Sequence, residues 1–417
     1  MPPVPSHADP AERIAALDEL IGKPDAAEAM APLLADPAPA VREHASRLLT
    51  RQGTAAAAKT TATHITSTNV AARNLAGETL IAIGPVAVPE LLPYLTNADH
   101  DVRKFAIDVL AELPAGIYAP RIAEALDDPD ANVRLAAIDA LGALHAIDYA
   151  DALAARYDRE PLSRPSIVEA LGVFQQASDL PLLETALTDG DPVVQLAAAE
   201  ALSHFDTPDV LPLLLRQRDE VSAMARPVLL QAIVAILQRH PGRASTLPAA
   251  LHVDLVAMLD DPDPDFQKIA VNGLSFFVDQ GALKPMLQHT GQSEALDLAI
   301  FTAVVDAKDP FIEVLEAAST RGDLPLPTAC TFLLGLLGQG RDPGDTWPAV
   351  GTLLEAHFDA LDVEGQLAAL HLSATIAHDA LRPVVEAALQ TPQPDVRSAA
   401  VDAAASFPGL IAANLTS

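Results

Sequence analysis

Residues 127–144 read DDPDANVRLAAIDALGAL, and looser versions of the phrase recur along the chain. The stretch gathers three aspartates ahead of one arginine, Arg134, so it reads either as a chemical site or as the unit of a repeating scaffold. The spacing of the copies decides between them. Aligned on Arg134, the register falls on Arg42 in PAPAVREHASRLL, Arg73 in VAARNLAGETL, Arg103 in DHDVRKFAIDVL, Arg164 in LSRPSIVEALGVF, Gln195 in DPVVQLAAAEAL and Arg226 in MARPVLLQAIVAIL. Successive intervals are 31, 30, 31, 30, 31 and 31 residues. Unrelated domains have no reason to share such a period, whereas one supersecondary unit stacked on itself must show it.

The next copy, PDPDFQKIAVNGLSFF with Gln267 in register, arrives after 41 residues, which places the excess around RHPGRASTLPAALH (239–252). Beyond it the pattern blurs through SEALDLAIFTAVV (293–305), LPTACTFLLGLLG (326–338) and VEGQLAALHLSATIA (363–377), then returns as QPDVRSAAVDAAASF with Arg397. These shifts divide the chain into regular repeats over 1–238, a longer connection with one further repeat over 239–282, diverged helical repeats over 283–377, and a C-terminal repeat and cap over 378–417.

Each unit holds two helical stretches. In the second, Val133, Ala137, Leu141 and Leu144 follow the spacing of one helix face, and Ala136 and Ala140 permit close approach of a neighbouring helix. The first stretch, such as APRIAEAL (119–126) or PDVLPLLLRQ (208–217), is shorter and often begins with proline, which suits a first helical turn. In the D-x-P-D turn between them, Asp caps the incoming helix and Pro stops the outgoing one. So short a pair cannot bury its apolar face alone, and neighbours must stack. The expected architecture is all-α: a right-handed α-α superhelix, an α-solenoid of about twelve antiparallel helix pairs.

The residues DDPDANVRLAAIDALG, DGDPVVQLAAAEALS and TPQPDVRSAAVDAAA resemble HEAT repeats, in particular those named after phycobilisome lyases. The resemblance implies that turn acids such as Asp101, Asp130 and Asp395 and the helix arginines Arg42, Arg103, Arg134 and Arg397 form a structural ladder. It also implies that the ladder is weaker or uncharged at Gln195 and Gln267. Fold does not carry function here, because the same unit serves scaffolds, adaptors, inhibitors and a few enzymes. Of those enzymes, the deoxyhypusine hydroxylases use repeated His-Glu dipeptides, and none of the 12 histidines here precedes Glu. The iron–sulfur queuosine-maturation enzymes need several cysteines, and this chain has one. HEAT-like DNA glycosylases require a cationic surface with aromatic contacts. Bilin lyases stay open, although no residue demands a tetrapyrrole.

The net charge is −30 and the pI about 4.5, which disfavours nucleic acid and anionic membrane surfaces as partners. Asp (37) outnumbers Glu (19), and only 6 of the 26 basic residues are Lys, a balance resembling that of salt-adapted proteomes. Aromatics are only 4%, and the apolar weight lies on Ala, Leu and Val, which suits helix packing better than a large ligand pocket. The single cysteine, Cys330, sits in an apolar run, so a disulfide framework or Cys-rich metal site is excluded within one chain. The N-terminal residues lack the pattern of a signal peptide and no run approaches a membrane span, so a cytoplasmic protein is expected and the Asn414 sequon reads as incidental.

Five residues after the register stand Glu78, Asp108, Asp139, Glu169 and Glu200, followed by Gln231 and Asn272. Stacking would align them into an acidic stripe, either an ordinary solvated face or a wall that recognises a basic partner protein. The only tryptophan, Trp347, lies in GQGRDPGDTWP, a loop without the spacing of a phosphate cradle; it packs on the core or forms a contact site. His64 sits in the Thr-rich segment KTTATHITSTN, an eroded repeat or a functional loop. The pairs His100-Asp101 and His378-Asp379 read as surface residues, since adjacent residues do not share a helix face. The expected function is a non-enzymatic scaffold or adaptor presenting a curved acidic surface, in signalling or motility of a salt-adapted prokaryote, without cofactor or metal. The alternatives are a cofactor-dependent lyase in the diverged segment, and self-association through that segment.

Overall fold

The computed structural model describes residues 7–23, 25–319 and 324–410; Asn414 lies outside them. Among the described residues every regular element is helical. Second helices begin at Pro39, Val70, His100, Ala131, Arg164, Pro192 and Arg226, and then at Pro264, Glu294, Leu326, Val363 and Pro394, each preceded by a shorter helical stretch. These are the twelve pairs of an α-solenoid. Pro10–Asp18 stands ahead of them as a further helix. The chain divides into two compact units, Met1–Ala232 and Ile233–Ser417.

One repeat shows how the sequence builds the pair. Ala119–Ala123 starts with Pro at its second position and tightens into the 3-10 turn Glu124–Asp127. Asp128 turns the chain, its carboxylate accepting from the Asp130 N–H at 2.9 Å. Asp130 then caps Ala131–Ala143 by accepting from the N–H groups of Asn132 and Val133. Val133, Ala137 and Leu141 are fully buried, as their spacing requires. Leu144 is half-buried, because the helix ends one residue earlier and Leu144 serves as its C-cap.

Small residues set the distance between repeats. A Cβ on Gly172 would stand 2.5 Å from the Ala201 Cβ, so the helices Arg164–Phe174 and Pro192–Ser203 touch backbone to backbone there. KTTATHITSTN is helical throughout its first half, forming Ala55–Ala62 and the 3-10 turn Thr63–Thr66. Thr60, Thr63 and Thr66 bend back onto carbonyls of the preceding turn, as Thr60 Oγ1 does onto Ala56 at 3.0 Å. His64 is half-buried beside them, and burial lowers its pKa. No single helix among the described residues is long and apolar enough to cross a membrane.

Candidate functional site

The bonds made by the register arginines determine what charge is left for a partner. Arg103 donates Nε and Nη2 to both carboxylate oxygens of Asp128 at 2.7 Å each, and Nη1 to the carbonyls of Asn97 and Ala98. It therefore ties its own turn to the turn of the next repeat. Arg134 repeats the arrangement with the Asp128 and Pro129 carbonyls behind it and Glu160 ahead at 3.1 Å. Arg164 reaches Asp189, which also accepts from the Tyr157 hydroxyl at 2.8 Å.

The expected acid partners are corrected by this geometry. Asp130 spends its carboxylate on its own helix N-terminus, Asp101 and Asp395 are exposed in the first turns of theirs, and the arginine reaches forward to an acid 25 or 26 residues later. Arg42 binds only the Asp36 and Pro37 carbonyls, since Ser67 stands where the next acid would be. Arg397 is exposed and makes no ion pair among the described residues. Arg13, which the sequence register did not include, is the first rung among the described residues, bonded to both oxygens of Asp36 at 2.8 and 2.9 Å. An acid 23 to 26 residues beyond each paired arginine was the signal that could have found it.

The glutamines keep the link without charge. Gln195 donates to the Asp189 carbonyl at 2.7 Å and accepts from the Ser222 N–H at 2.7 Å. Gln267 donates to the Asp261 carbonyl and to Gln292. Two rungs hold their acid ionised: the Arg103 hydrogen bond is the main cause that lowers the Asp128 pKa, and burial at Asp36 is outweighed by Arg13, the Ala38 N–H and Arg42 together.

The stripe occupies the opposite chemistry. Asp139, Glu169 and Glu200 are exposed on successive second helices. Burial of its approach raises the Glu169 pKa, and the charges of Asp139 and Glu200 raise it further. Asp139 is raised by burial and by Asp108, against the pull of a Ser166 hydrogen bond and of Lys104. Asp139 and Glu169 line an open groove of about 340 Å³ whose floor is Gly142 and Ala170. Asp108 is compensated, because Lys104 bonds it at 2.7 Å. Glu78 is exposed on Val70–Ile83. The contiguous members without an ion pair are thus Asp139, Glu169 and Glu200, with Glu78 set apart from them by the paired Asp108.

In the second unit, Trp347 is the first residue of the helix Trp347–His357. Its ring stacks on His378 at 4.3 Å, and its Nε1 donates to Asp342 at 3.1 Å. It is half-buried and clasps two successive repeats. His378 is accordingly part of that clasp, and its Nδ1 accepts from the Ala380 N–H. Asp99, His100 and Asp101 bring ligand atoms within 4.8 Å of one another at the entrance of His100–Ala111, all exposed, with Asp99 already capping the helix. An apolar groove of about 310 Å³ lies between Glu294–Val305 and Leu326–Gly338, lined by Leu298, Phe301 and Phe332 with Glu294 and Asp297 beside them. Cys330 is buried, its pKa pushed up to about 11 by desolvation.

The family model for HEAT repeats matches residues 88–172 and again 154–234. These segments are HEAT repeats. No curated protein matches the sequence. Among solved structures, the complex of CpcE and CpcF of phycocyanin lyase from Nostoc sp. PCC7120 is 20% identical, over 59% of this chain and 92% of that one, with a TM-score of 0.35. Kap121p is 12% identical, over 96% of this chain and 55% of its own, with a TM-score of 0.46. This chain spans about half the length of Kap121p.

Proposed function

We propose that this protein is a non-enzymatic adaptor that binds another protein through the acidic stripe of its first unit. The observation that carries the reading is the division of charge. Arg103, Arg134 and Arg164 are committed to the turns, while Asp139, Glu169 and Glu200 stand beside one another with no arginine between them. Like charges at neighbouring positions cost stability, so their retention fits a basic face supplied from outside. The carboxylates lie in a row on successive helices and do not converge on a nucleophile, which favours recognition over catalysis. A cytoplasmic signalling or motility adaptor of a salt-adapted prokaryote is the setting we place it in.

The test is affinity capture from the source cells at native salt, comparing the natural chain with a Glu169→Lys/Glu200→Lys variant and quantifying bound proteins. Loss of specific partners on charge reversal is expected. An unchanged set of bound proteins sinks the reading.

A further inference from the structure

The stripe has an apolar neighbour that no ladder or core function absorbs. Two residues ahead of the register positions 164, 195 and 226 stand Leu162, Val193 and Met224, exposed by 90%, 49% and 57%. The preceding repeats carry Ala40, Ala71, Asp101 and Asn132 at that place, so the apolar character belongs to three consecutive repeats only. Those repeats are joined at the turns beside these residues, Arg164 to Asp189 and Gln195 to Ser222. Three large apolar side chains exposed at one register place on consecutive repeats are a feature that a solvated scaffold has no reason to carry.

The two rows have a fixed relation. Glu200 lies seven residues beyond Val193 within the one helix Pro192–Ser203, two helical turns, so that pair points to one side about 10 Å apart, and Leu162 stands in the 3-10 turn Pro161–Ser163 that leads directly into the helix of Glu169. Between the rows the surface is half-buried and mostly apolar, formed by Pro165, Leu196, Pro227 and Val228. A separation of about 10 Å is the diameter of an α-helix with its side chains. Neighbouring second helices pack about 8–10 Å apart, and seven residues of a crossing helix rise about 10 Å, so one heptad of such a helix meets one repeat.

We propose that this face of the first unit seats a single amphipathic α-helix of a partner protein. Its aliphatic side chains, seven residues apart, lie against Leu162, Val193 and Met224, and its adjoining Lys or Arg side chains face Glu169 and Glu200. The inference rests on the acidic-stripe reading and adds the form of the partner. Charge complementarity sets the basic side, and the apolar row sets the orientation and the repeat length.

The probe is a fluorescein-labelled synthetic peptide of three heptads with Leu on one side and Lys on the adjoining side, compared with a scrambled peptide of identical composition. Fluorescence anisotropy is measured with the full chain, with Leu162→Ser/Met224→Ser, and with Glu169→Lys/Glu200→Lys. Both apolar substitutions lie on exposed residues, and circular dichroism checks that each variant is folded. The patterned peptide is expected to bind about tenfold more tightly than the scrambled one, the serine variant to erase that preference, and charge reversal to weaken both peptides. Equal binding of the two peptides, or a preference that survives the serine substitutions, overturns the amphipathic-helix proposal. If charge reversal still weakens binding in that case, the acidic-stripe reading stands alone; if it does not, both fail.

Discussion

Replacing Arg103 by alanine tests the ladder at its best-formed rung. The substitution removes two charge-assisted hydrogen bonds to Asp128 at 2.7 Å and the bonds to the Asn97 and Ala98 carbonyls at 2.8 and 3.2 Å. It leaves Asp128 ionised where its side chain is only 9% exposed. Removing one partner of a buried pair costs about 3–5 kcal/mol. A groove beside the rung, lined by Arg121 and Glu124, lets water reach the stranded carboxylate, so about 2–4 kcal/mol is expected here. Arg103→Gln keeps a carbonyl bond, as Gln195 does, yet still faces an unpaired charge. Arg103→Gln/Asp128→Asn removes the charge as well and should cost only about 1 kcal/mol. The cost therefore falls in the order alanine, single glutamine, double variant.

Urea unfolding followed by circular dichroism measures the series, because the only tryptophan, Trp347, lies in the other unit and does not report on this one. The pH dependence supplies an independent sign. Arg103 lowers the pKa of Asp128 in the folded chain. The rung's contribution is therefore complete above the unfolded value of about 3.9 and is lost as pH falls through the lowered folded value. The natural chain should lose its advantage over the double variant only in that acidic window. A double variant as unstable as Arg103→Ala, or an alanine variant within about 0.5 kcal/mol of the natural chain, refutes the account of the rung as a buried ion pair.

Three further outcomes are expected. Gly172→Ala sets a Cβ 2.5 Å from the Ala201 Cβ and should cost about 1–3 kcal/mol in urea unfolding, with only partial rescue by Ala201→Gly because the Ala201 Cα lies at 2.6 Å; a neutral Gly172→Ala contradicts the close approach. Ala377, exposed with φ 51° at the end of Val363–Ile376, should gain about 0.5–1 kcal/mol on replacement by glycine, read from the shift of Trp347 fluorescence in denaturant, and a loss would show the left-handed cap is not strained. Asp139→Asn/Glu169→Gln should stabilise the chain by about 0.5 kcal/mol at pH 7; the folded pKa values are raised, so the carboxylates cost stability as pH rises through them and the gain vanishes below the unfolded values, while a variant less stable at pH 7 reverses the sign.

The repeat was legible because its signals are local and periodic. A register position every 30 or 31 residues marks the units, and Asp130 before its helix and Pro at the first turn are written within one unit, where each acts on neighbours in the chain. The ladder partners were less legible, since Arg103 and Asp128 are separated by 25 residues and by a whole helical pair. Spacing within one repeat pointed to Asp130, which is nearer in sequence but consumed by its own helix. The alignment of Asp139, Glu169 and Glu200 could be read from the period, while the compensation of Asp108 by Lys104 required the helix face that brings them to 2.7 Å. The row of Leu162, Val193 and Met224 was present in the same register, yet exposed and buried apolar residues look alike in a sequence and only their exposure separates them.

The two rows also constrain each other. A stripe of carboxylates on a chain of net charge −30 has an ordinary explanation in solubility, and by itself attracts any cation. Solubility does not explain large apolar side chains held outward on the same three repeats, because they oppose it. Specific recognition explains both, since the charges draw a basic partner in and the apolar row admits only those with side chains at the matching period. High salt separates these contributions physically: screening weakens the attraction of the exposed acids while burial against Leu162 and Met224 persists. At high salt, binding of an amphipathic helix as proposed would therefore depend on the apolar row more than on the stripe. The preference for a patterned over a scrambled peptide should survive at molar salt even as both affinities decline.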